Sequence, residues 1–201
     1  MSPGFPTLVT PRLILREPRS TDADAFLEIV RDAAVMQYDG TRPLNTRAEA
    51  LEQLSRFSQL YYSGQGIRWI ITLATPDDTT PADHCIGDLG FHSVSRHDRR
   101  AEIGYRLSSG YWNQGLMTEA VTALVAYGFR TLRLNRIQAQ VDTRNPASQR
   151  VLAKVGFRVE GTLREYERER DGYASLVMLA LLHNEWQEPS QIKPVDQVHQ
   201  R

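Results

Sequence analysis

The stretch GYWNQGLMTEA, residues 110–120, places a single glycine where an extended segment ends and a helical one begins. Upstream, the run RAEIGYRLS (100–108) alternates in the manner of a β-strand with one buried face. Downstream of Gly115, apolar residues recur at every third or fourth position, which is typical of an amphipathic α-helix. The stretch is therefore predicted to form a turn that joins a strand to a helix.

The N-terminus of this helix is predicted to favour a phosphate group. Its first N–H groups lack intrahelical partners and carry a partial positive charge, and Gly115 lets a ligand approach the backbone without a Cβ in the way. No lysine follows the glycine, so the turn is not the phosphate loop of an NTPase, which requires Gly-Lys-Ser/Thr. The same residues also fit a glycine that only begins a surface helix.

The rest of the chain alternates between strand and helix patterns. Strands are predicted in TLVTPRLILREP (7–18), IRWIITLAT (67–75), NRIQAQV (135–141), FRVEG (157–161) and YASLVMLALL (173–182). The segment HCIGDLGFHSV (84–94) is predicted to form an antiparallel hairpin with the strand at 100–108. Helices are predicted after Ser20–Asp22, over 46–62, and from Pro146, with Asn145 as N-cap and Gly156 at the end. The segment TPDDTTPAD (75–83) is predicted to be a loop. The order β-αα-βββ-α-β-α-ββ predicts a mixed sheet with helices on both faces.

Composition excludes several classes of protein. The 201 residues fit one domain, and the 24 basic and 24 acidic residues cancel, which argues against a nucleic-acid binder held by bulk charge. Cys85 is the sole cysteine, so a disulfide framework and a cysteine-rich zinc site are excluded, and the histidines lie in no metal-binding pattern. The sequence begins without a secretory signal pattern and holds no run of membrane-spanning length, so no membrane partner and a cytoplasmic location are expected.

Four segments in order, AEIGYRL, YWNQGLMTEA, NRIQAQV and NPASQRVLAKVGF, resemble the GNAT acetyltransferases. Within that superfamily the chain is similar to the Rim-type group, which acetylates protein N-termini and related amines. The segments TPRLILR near the start, VEG after GF, and the closing EW also match this group. The resemblance covers roughly residues 7–186 and implies a single α/β (α+β) domain with a mixed, mostly antiparallel sheet, which is assigned to residues 1–186. Residues 187–201 are polar, proline-containing and aperiodic, so they are expected to form a loose tail.

The resemblance also implies a site for acetyl-coenzyme A as cosubstrate, without a metal. The cosubstrate is expected in a V-shaped gap between the strands AEIGYRL and NRIQAQV, with Asn145 and Ser148 facing it from the other side. Its pantetheine arm is expected to pair with the strand edge at Tyr105 and Leu107, as an added strand would. Its pyrophosphate is expected on the backbone N–H groups of Asn113, Gln114, Gly115, Leu116, Met117 and Thr118.

The turn departs from the superfamily pattern Arg/Gln-x-x-Gly-x-Gly/Ala. Here the pattern reads Trp112-Asn-Gln-Gly115-Leu-Met117. Phosphate binding through main-chain N–H groups tolerates these changes, because side chains matter less there. Met117 is expected to narrow the phosphate cradle. Trp112 is expected either to line the substrate mouth or to act only as a packing anchor.

Acetyl transfer from a thioester to an amine requires a proton acceptor. A primary amine with a pKa of ~8 to 10 must lose its proton, which a nearby carboxylate or a water chain can accept. Glu102 is the candidate base, because it lies on the strand beside the proposed thioester and the Rim-type group keeps a glutamate there. The alternatives are a Glu102 that only pairs with a surface cation, and Glu165 or Glu167 in REYERERDGY. A backbone N–H near Tyr105 is expected to stabilise the oxyanion.

The leaving thiolate also needs a proton. Many superfamily members carry a tyrosine seven residues after the asparagine of the second motif, and here that position is Leu152. Ser148, one turn earlier, is the nearby hydroxyl on the matching helix face and is the candidate donor, with water as the alternative. A serine at this helical position also commonly bonds only to the local backbone.

Three functions remain open from the sequence. The first is an N-acetyltransferase acting on a protein or peptide N-terminus. The second is an acetyltransferase for a small amine, such as a polyamine, an amino acid or an antibiotic. The third is an acyl-coenzyme A-binding module without catalysis, which the absent tyrosine and the changes at Trp112 and Met117 leave possible. A homodimer is compatible with each of them.

Overall fold

An eight-stranded sheet organises the computed structural model, which describes residues 4–75, 83–169 and 172–188. Its strands lie in the order β1-β2-β3-β4-β5-β6-β8-β7. The strands are β1 (Leu8–Val9), β2 (Leu13–Arg16), β3 (Ile67–Leu73), β4 (Gly87–Ser95), β5 (Arg100–Leu107), β6 (Arg136–Asp142), β7 (Arg158–Glu169) and β8 (Gly172–Leu182). The helices are α1 (Ala23–Arg31), α2 (Ala33–Met36), α3 (Arg47–Tyr62), α4 (Leu116–Arg130) and α5 (Pro146–Val155).

Helices cover both faces of the sheet, as the order of elements predicts. On one face, Trp69 and Ile71 of β3 pack in a core with the apolar side of α4. On the other face, Ile70 packs with Phe26 of α1 and Phe57 of α3. Successive residues of a strand point to opposite faces, so β3 supplies a buried side chain to each core. The predicted mixed α/β fold is confirmed.

The strands are antiparallel neighbours except for β5 and β6, which run parallel. Parallel strands need a crossover connection, and α4 is that crossover. The β5–β6 ladder joins Arg100 to Arg136, Ala101 to Ile137 and Glu102 to Gln138. Beyond Glu102, β5 continues its pairing with β4 as far as Leu107 while it diverges from β6. The result is the V-shaped gap expected between these two strands.

The local sequence explains where several elements begin and end. Thr46 caps α3 through a reciprocal pair of hydrogen bonds with Glu49. The Asn145 side chain accepts a hydrogen bond from the Ser148 N–H at the start of α5, and Gly156 ends that helix at φ +104°. A left-handed backbone of this kind favours glycine. The predicted helix at 46–62 and the predicted caps of α5 are confirmed.

Three features differ from the sequence-based prediction. The segment 7–18 forms two short strands rather than one, because the chain turns between them and the Thr10 N–H bonds to the Leu13 carbonyl. The four-residue helix α2 was not predicted. β7 extends past Gly161 to Glu169 and carries an irregularity around Glu165, whose φ is +49°.

Two predicted segments lie largely outside the described residues. The predicted loop at 75–83 is described only at its two ends, and the predicted tail only as far as Glu188. None of the helices in the described part of the chain combines the length and the apolar composition needed to cross a membrane.

Candidate active site

The turn before α4 has the backbone shape that a phosphate cradle requires. Gly115 is the N-cap of α4 at φ +77°, and Asn113 also has a left-handed backbone at φ +60°. The first intrahelical hydrogen bond runs from the Glu119 N–H to the Gly115 carbonyl. The N–H groups of Leu116 to Thr118 therefore precede the helical ladder and are oriented outward from the helix end. They are three of the six main-chain donors, in residues 113–118, that the family resemblance assigns to a pyrophosphate.

Glu119 fixes this turn against the start of the chain. Its carboxylate accepts hydrogen bonds from the Thr10 hydroxyl at 2.6 Å, the Arg12 N–H at 2.9 Å and the Arg12 Nε at 2.7 Å. Arg12 also donates to the Gln114 carbonyl at 2.9 Å. Burial acts to raise the pKa of Glu119, but the hydrogen bonds from Thr10 and Arg12 lower it on balance. Glu119 therefore holds the turn as an ionised anchor.

The free edge of β5 presents backbone groups to the V-shaped gap. The Ser108 N–H bonds to the Ile86 carbonyl on the β4 side. Because backbone groups of successive residues alternate between the two edges of a strand, those of Tyr105 and Leu107 face the gap. The Trp112 indole N–H donates to the Leu107 carbonyl at 2.8 Å. One of the backbone groups predicted to pair with pantetheine is therefore already engaged by Trp112.

A cavity of about 420 Å³ connects the turn, the gap and the start of α5. Its lining includes every residue predicted to bind the cosubstrate except Gln114, whose carbonyl accepts a hydrogen bond from Arg12. The predicted residues that line it are Tyr105, Leu107, Asn113, Gly115, Leu116, Met117, Thr118, Asn145 and Ser148. Trp112 lines it as well, with 41% of its surface exposed, which agrees with a place at the mouth.

One wall of the cavity comes from a segment that sequence reasoning missed. Residues of α2 and the turn after it, among them Tyr38 and Asp39, also line this cavity. The Arg106 Nε lies 3.3 Å from Asp39 Oδ2 and 3.5 Å from the fully buried Asp88 Oδ2. The Arg106 guanidinium also stacks 5.9 Å from the centre of the Phe26 ring. Arg106 therefore connects this wall of the cavity to the sheet through Asp88 and to α1 through Phe26.

Ser148 shares a hydrogen bond with a phenol that the sequence did not assign to the chemistry. The Tyr105 Oη lies 2.7 Å from Ser148 Oγ and 3.3 Å from the Ser148 carbonyl oxygen. Burial raises the pKa of Tyr105 to about 12, although the hydrogen bond with Ser148 acts in the opposite direction. Leu152, at the position where many relatives carry tyrosine, is fully buried in the core. The phenol at this site therefore comes from β5 and not from α5.

Glu102 lies on the opposite face of β5 from Tyr105. It belongs to the last pair of the β5–β6 ladder, at the point where the gap opens. Its carboxylate accepts hydrogen bonds from Gln138 Nε2 at 3.1 Å and Gln140 Nε2 at 3.5 Å. On the neighbouring strand β4, its paired residue is His92. Burial lowers the pKa of His92 and the charge of Glu102 raises it, and the net effect is a lowering. The structure thus places the two catalytic candidates, Glu102 and Ser148, on different sides of the gap.

The two rival glutamates lie on β7. The Glu167 carboxylate is 2.9 Å from the position that a Cβ on Gly40 would take, so it borders the segment that carries Asp39. The Glu165 backbone N–H donates a hydrogen bond to Ser175 Oγ at 3.0 Å, and the surrounding strand lines a separate depression. Neither glutamate is among the described residues that line the cavity.

The residues present fit acetyl-coenzyme A. The outward N–H groups at Gly115, the open β5 edge and the cavity correspond to its pyrophosphate, its amide-containing arm and its thioester end. Within the described residues, no three His, Cys, Asp or Glu side chains are grouped as metal ligands.

The sequence of this chain is similar to those of known acetyltransferases. The profile of the family described as acetyltransferase (GNAT) domain matches residues 12–158. The chain is 39% identical over 162 residues to the uncharacterized N-acetyltransferase YoaA of Bacillus subtilis, covering 81% of this chain and 88% of that protein. It is 34% identical over 180 residues to the uncharacterized N-acetyltransferase p20 of Bacillus licheniformis, covering 90% and 98%.

Two further similarities bear on the Rim-type group. The ribosomal protein uS5-alanine N-acetyltransferase of Escherichia coli is 32% identical over 123 residues, which is 61% of each chain. The solved structure of Mycobacterium smegmatis RimJ in complex with CoA-disulfide has a TM-score of 0.78 at 24% identity, covering 90% of this chain and 88% of that one. At that identity the structural similarity establishes the fold.

Proposed function

This chain belongs to the GNAT family of acetyltransferases, and from that premise we propose that it acetylates the α-amine at the N-terminus of a protein or peptide. The acetyl donor is acetyl-coenzyme A, which supplies an activated thioester. Transfer occurs directly, with donor and acceptor bound at the same time.

The divergence of β5 from β6 after Glu102 is the observation that carries this proposal. It opens the sheet between two faces that hold different groups. The turn at Gly115 and Ser148 lie on the α4 and α5 side, and Glu102 lies on the α1 and α3 side. A donor on the first side and an amine on the second can therefore meet in the gap without a covalent acetyl-enzyme.

Each residue has a defined task in this arrangement. Glu102 accepts the proton that the attacking amine loses, directly or through a water molecule, and Gln138 and Gln140 hold its carboxylate in place. A backbone N–H on the gap edge of β5, near Tyr105, donates to the developing oxyanion. The Ser148 hydroxyl donates a hydrogen bond to the sulfur as the carbon–sulfur bond breaks and the electron pair remains on sulfur.

One comparison supports a peptide N-terminus as the acceptor. The uS5-alanine N-acetyltransferase is named for an N-terminal protein substrate, and it is 32% identical over the aligned part of this chain. A free peptide N-terminus is a cationic amine at neutral pH. A polyamine has the same charge, so the experiment must separate the two acceptor classes.

The test is thiol release from acetyl-coenzyme A with a panel of amines, followed by mass spectrometry of the products. The panel contains peptides with free N-termini, the same peptides with blocked N-termini and internal lysines, polyamines and free amino acids. Acetylation of the free N-terminal peptides alone is the expected result. Turnover with polyamines or amino acids alone would identify a small-amine enzyme. Binding of acetyl-coenzyme A without turnover on any amine would identify a binding module.

A further inference from the structure

Tyr105 and Ser148 form a hydrogen-bonded pair of hydroxyl groups beside the place where the thiolate would leave. The two residues are 43 positions apart, and their oxygens are 2.7 Å from each other on the wall of the cosubstrate cavity. We propose that Tyr105 is a positioning residue that directs the Ser148 hydroxyl onto the departing sulfur of coenzyme A. This inference rests on the proposed use of acetyl-coenzyme A and does not depend on which amine is the acceptor.

The geometry allows two arrangements of the hydroxyl protons. In the first, Tyr105 donates to the Ser148 carbonyl at 3.3 Å, and the Ser148 hydroxyl donates to Tyr105 Oη. In the second, Tyr105 donates to Ser148 Oγ, and the Ser148 hydroxyl is directed to a third group. A phenol has one proton to donate, so the two arrangements exclude each other.

An anionic sulfur favours the second arrangement, because the Ser148 hydroxyl is then free to donate to it. A hydrogen bond to a charged acceptor is roughly twice as strong as one between neutral groups. The change requires only that both hydroxyls rotate about their C–O bonds, and the Ser148 backbone stays fixed by Asn145 throughout. When the Ser148 hydroxyl rotates from Tyr105 Oη to the sulfur, the Tyr105 hydroxyl rotates to donate to Ser148 Oγ. The hydrogen bond between the two hydroxyl groups is therefore kept, with its direction reversed.

Positioning fits these groups better than proton donation by the phenol. A thiol of the cysteine type has a pKa of ~8.5, whereas burial raises the pKa of Tyr105 to about 12. A phenol of that pKa does not transfer its proton to a thiolate to any useful extent. The sulfur therefore keeps its electron pair and accepts a hydrogen bond, and it takes a proton from water after release.

The Tyr105–Ser148 hydrogen bond would also exist if it only joined β5 to α5. The two roles differ in their effect on ionised sulfur, which can be measured without turnover. If the pair donates to sulfur, bound coenzyme A ionises at a lower pH than free coenzyme A. Its affinity should then rise with pH below the free thiol pKa of ~8.5. Acetyl-coenzyme A has no free thiol, so its affinity provides the internal reference.

The experiment is calorimetric titration of coenzyme A and of acetyl-coenzyme A from about pH 6 to about pH 10. For the wild type, the affinity for coenzyme A relative to acetyl-coenzyme A should rise by roughly 10-fold, as expected for hydrogen bonding to a charged group. The rise should fall below roughly threefold in Tyr105→Phe and in Ser148→Ala. Tyr127→Phe is the matched control, because Tyr127 is a tyrosine of α4 whose pKa is also raised to about 12 by burial and which does not line the cavity.

The double variant Tyr105→Phe/Ser148→Ala tests whether the two residues act as a unit. Its pH dependence should equal that of Ser148→Ala, because Tyr105 acts only through Ser148. An unchanged rise in Tyr105→Phe, with acetyl-coenzyme A still bound, would overturn the positioning role. A wild-type affinity ratio that does not change with pH would also overturn the positioning role, and the proposed acetyl transfer would be unaffected. Failure of the wild type to bind either ligand would overturn the proposed function itself.

Discussion

Arg12 and Glu119 are 107 positions apart in the chain and form a salt bridge of 2.7 Å that also fixes the turn at Gly115. The Arg12 backbone N–H donates to the same carboxylate, and its guanidinium donates to the Gln114 carbonyl inside the turn. The first helical turn of α4 is thereby attached to the turn between β1 and β2. The backbone of the turn at Gly115 is therefore held by a contact with a distant part of the chain as well as by its own sequence.

Glu119→Gln should loosen the cradle while it preserves the shape of the side chain. The amide oxygen keeps the hydrogen bonds from the Thr10 hydroxyl and the Arg12 N–H, whereas the charge and the hydrogen bond from Arg12 Nε are lost. The protein should therefore be destabilised by about 1–2 kcal/mol. Acetyl-coenzyme A affinity should fall by roughly 3- to 10-fold, because the N–H donors are no longer held in one geometry. Glu52→Gln is the control, since Glu52 forms an exposed pair with Arg56 on α3 and should cost less than about 0.5 kcal/mol. Equal effects of the two changes in urea unfolding and calorimetry would contradict this role.

Gly115→Val should weaken cosubstrate binding strongly. The substitution places a branched side chain beside the N–H donors, and the φ of +77° adds backbone strain of about 1–2 kcal/mol. The nearest atom to an added Cβ is Arg12 Nη2 at 3.6 Å, so the loss comes from conformation and from the ligand's space and not from a clash with the protein.

Gly156→Val separates the two effects. Gly156 also has a left-handed backbone, at φ +104°, but it lies at the far end of α5. It should therefore lose comparable stability and keep its affinity for acetyl-coenzyme A. Calorimetry that finds unchanged affinity in folded Gly115→Val would remove the phosphate assignment.

Glu102→Gln should reduce turnover on the order of 10²-fold, with cosubstrate affinity nearly unchanged, because the amide keeps the shape and cannot accept a proton. Glu165→Gln and Glu167→Gln are the matched controls on β7 and should retain most of the activity. Single-turnover rates with a peptide acceptor measure the difference. If Glu167→Gln abolishes turnover and Glu102→Gln does not, the base is Glu167 and the amine approaches from the β7 side.

Local signals were sufficient to predict the parts of the site that depend on a few consecutive residues. The glycine before α4 and the Asn-Pro start of α5 were identified because turn and cap chemistry is set within one helical turn. The gap between β5 and β6 came from the resemblance to a known family, since strand divergence leaves no pattern of its own. Gln114 was included among the phosphate-binding residues because the resemblance implies the backbone N–H groups of residues 113–118. Its carbonyl accepts a hydrogen bond from Arg12, and the role of its N–H stays a prediction.

The remaining differences arise from contacts between distant residues. No local pattern pairs Tyr105 with Ser148, because the contact exists only once α5 packs beside β5. The helix α2 is too short to show a helical period, so Asp39 was not placed at the cavity. β7 is almost wholly exposed, so the alternation that reveals a half-buried strand is absent beyond Gly161.

Acid should destabilise the protein in a way that Glu119→Gln reduces. Hydrogen bonds from Thr10 and Arg12 lower the pKa of Glu119 against the opposing effect of burial, and the hydrogen bond with Arg144 is the main cause that lowers the pKa of Asp142. A carboxyl group whose folded pKa lies below its unfolded value of ~4 stabilises the fold above that value, and the contribution is lost as pH falls through the folded pKa. Urea unfolding from about pH 7 down to about pH 3 should therefore show falling stability below about pH 5. The decline should be shallower in Glu119→Gln, which has no proton to take up at that position, and it should be unchanged in Glu52→Gln. Parallel curves for Glu119→Gln and the wild type would mean that Glu119 titrates alike in the folded and unfolded chain, and that Arg12 does not anchor the turn through charge.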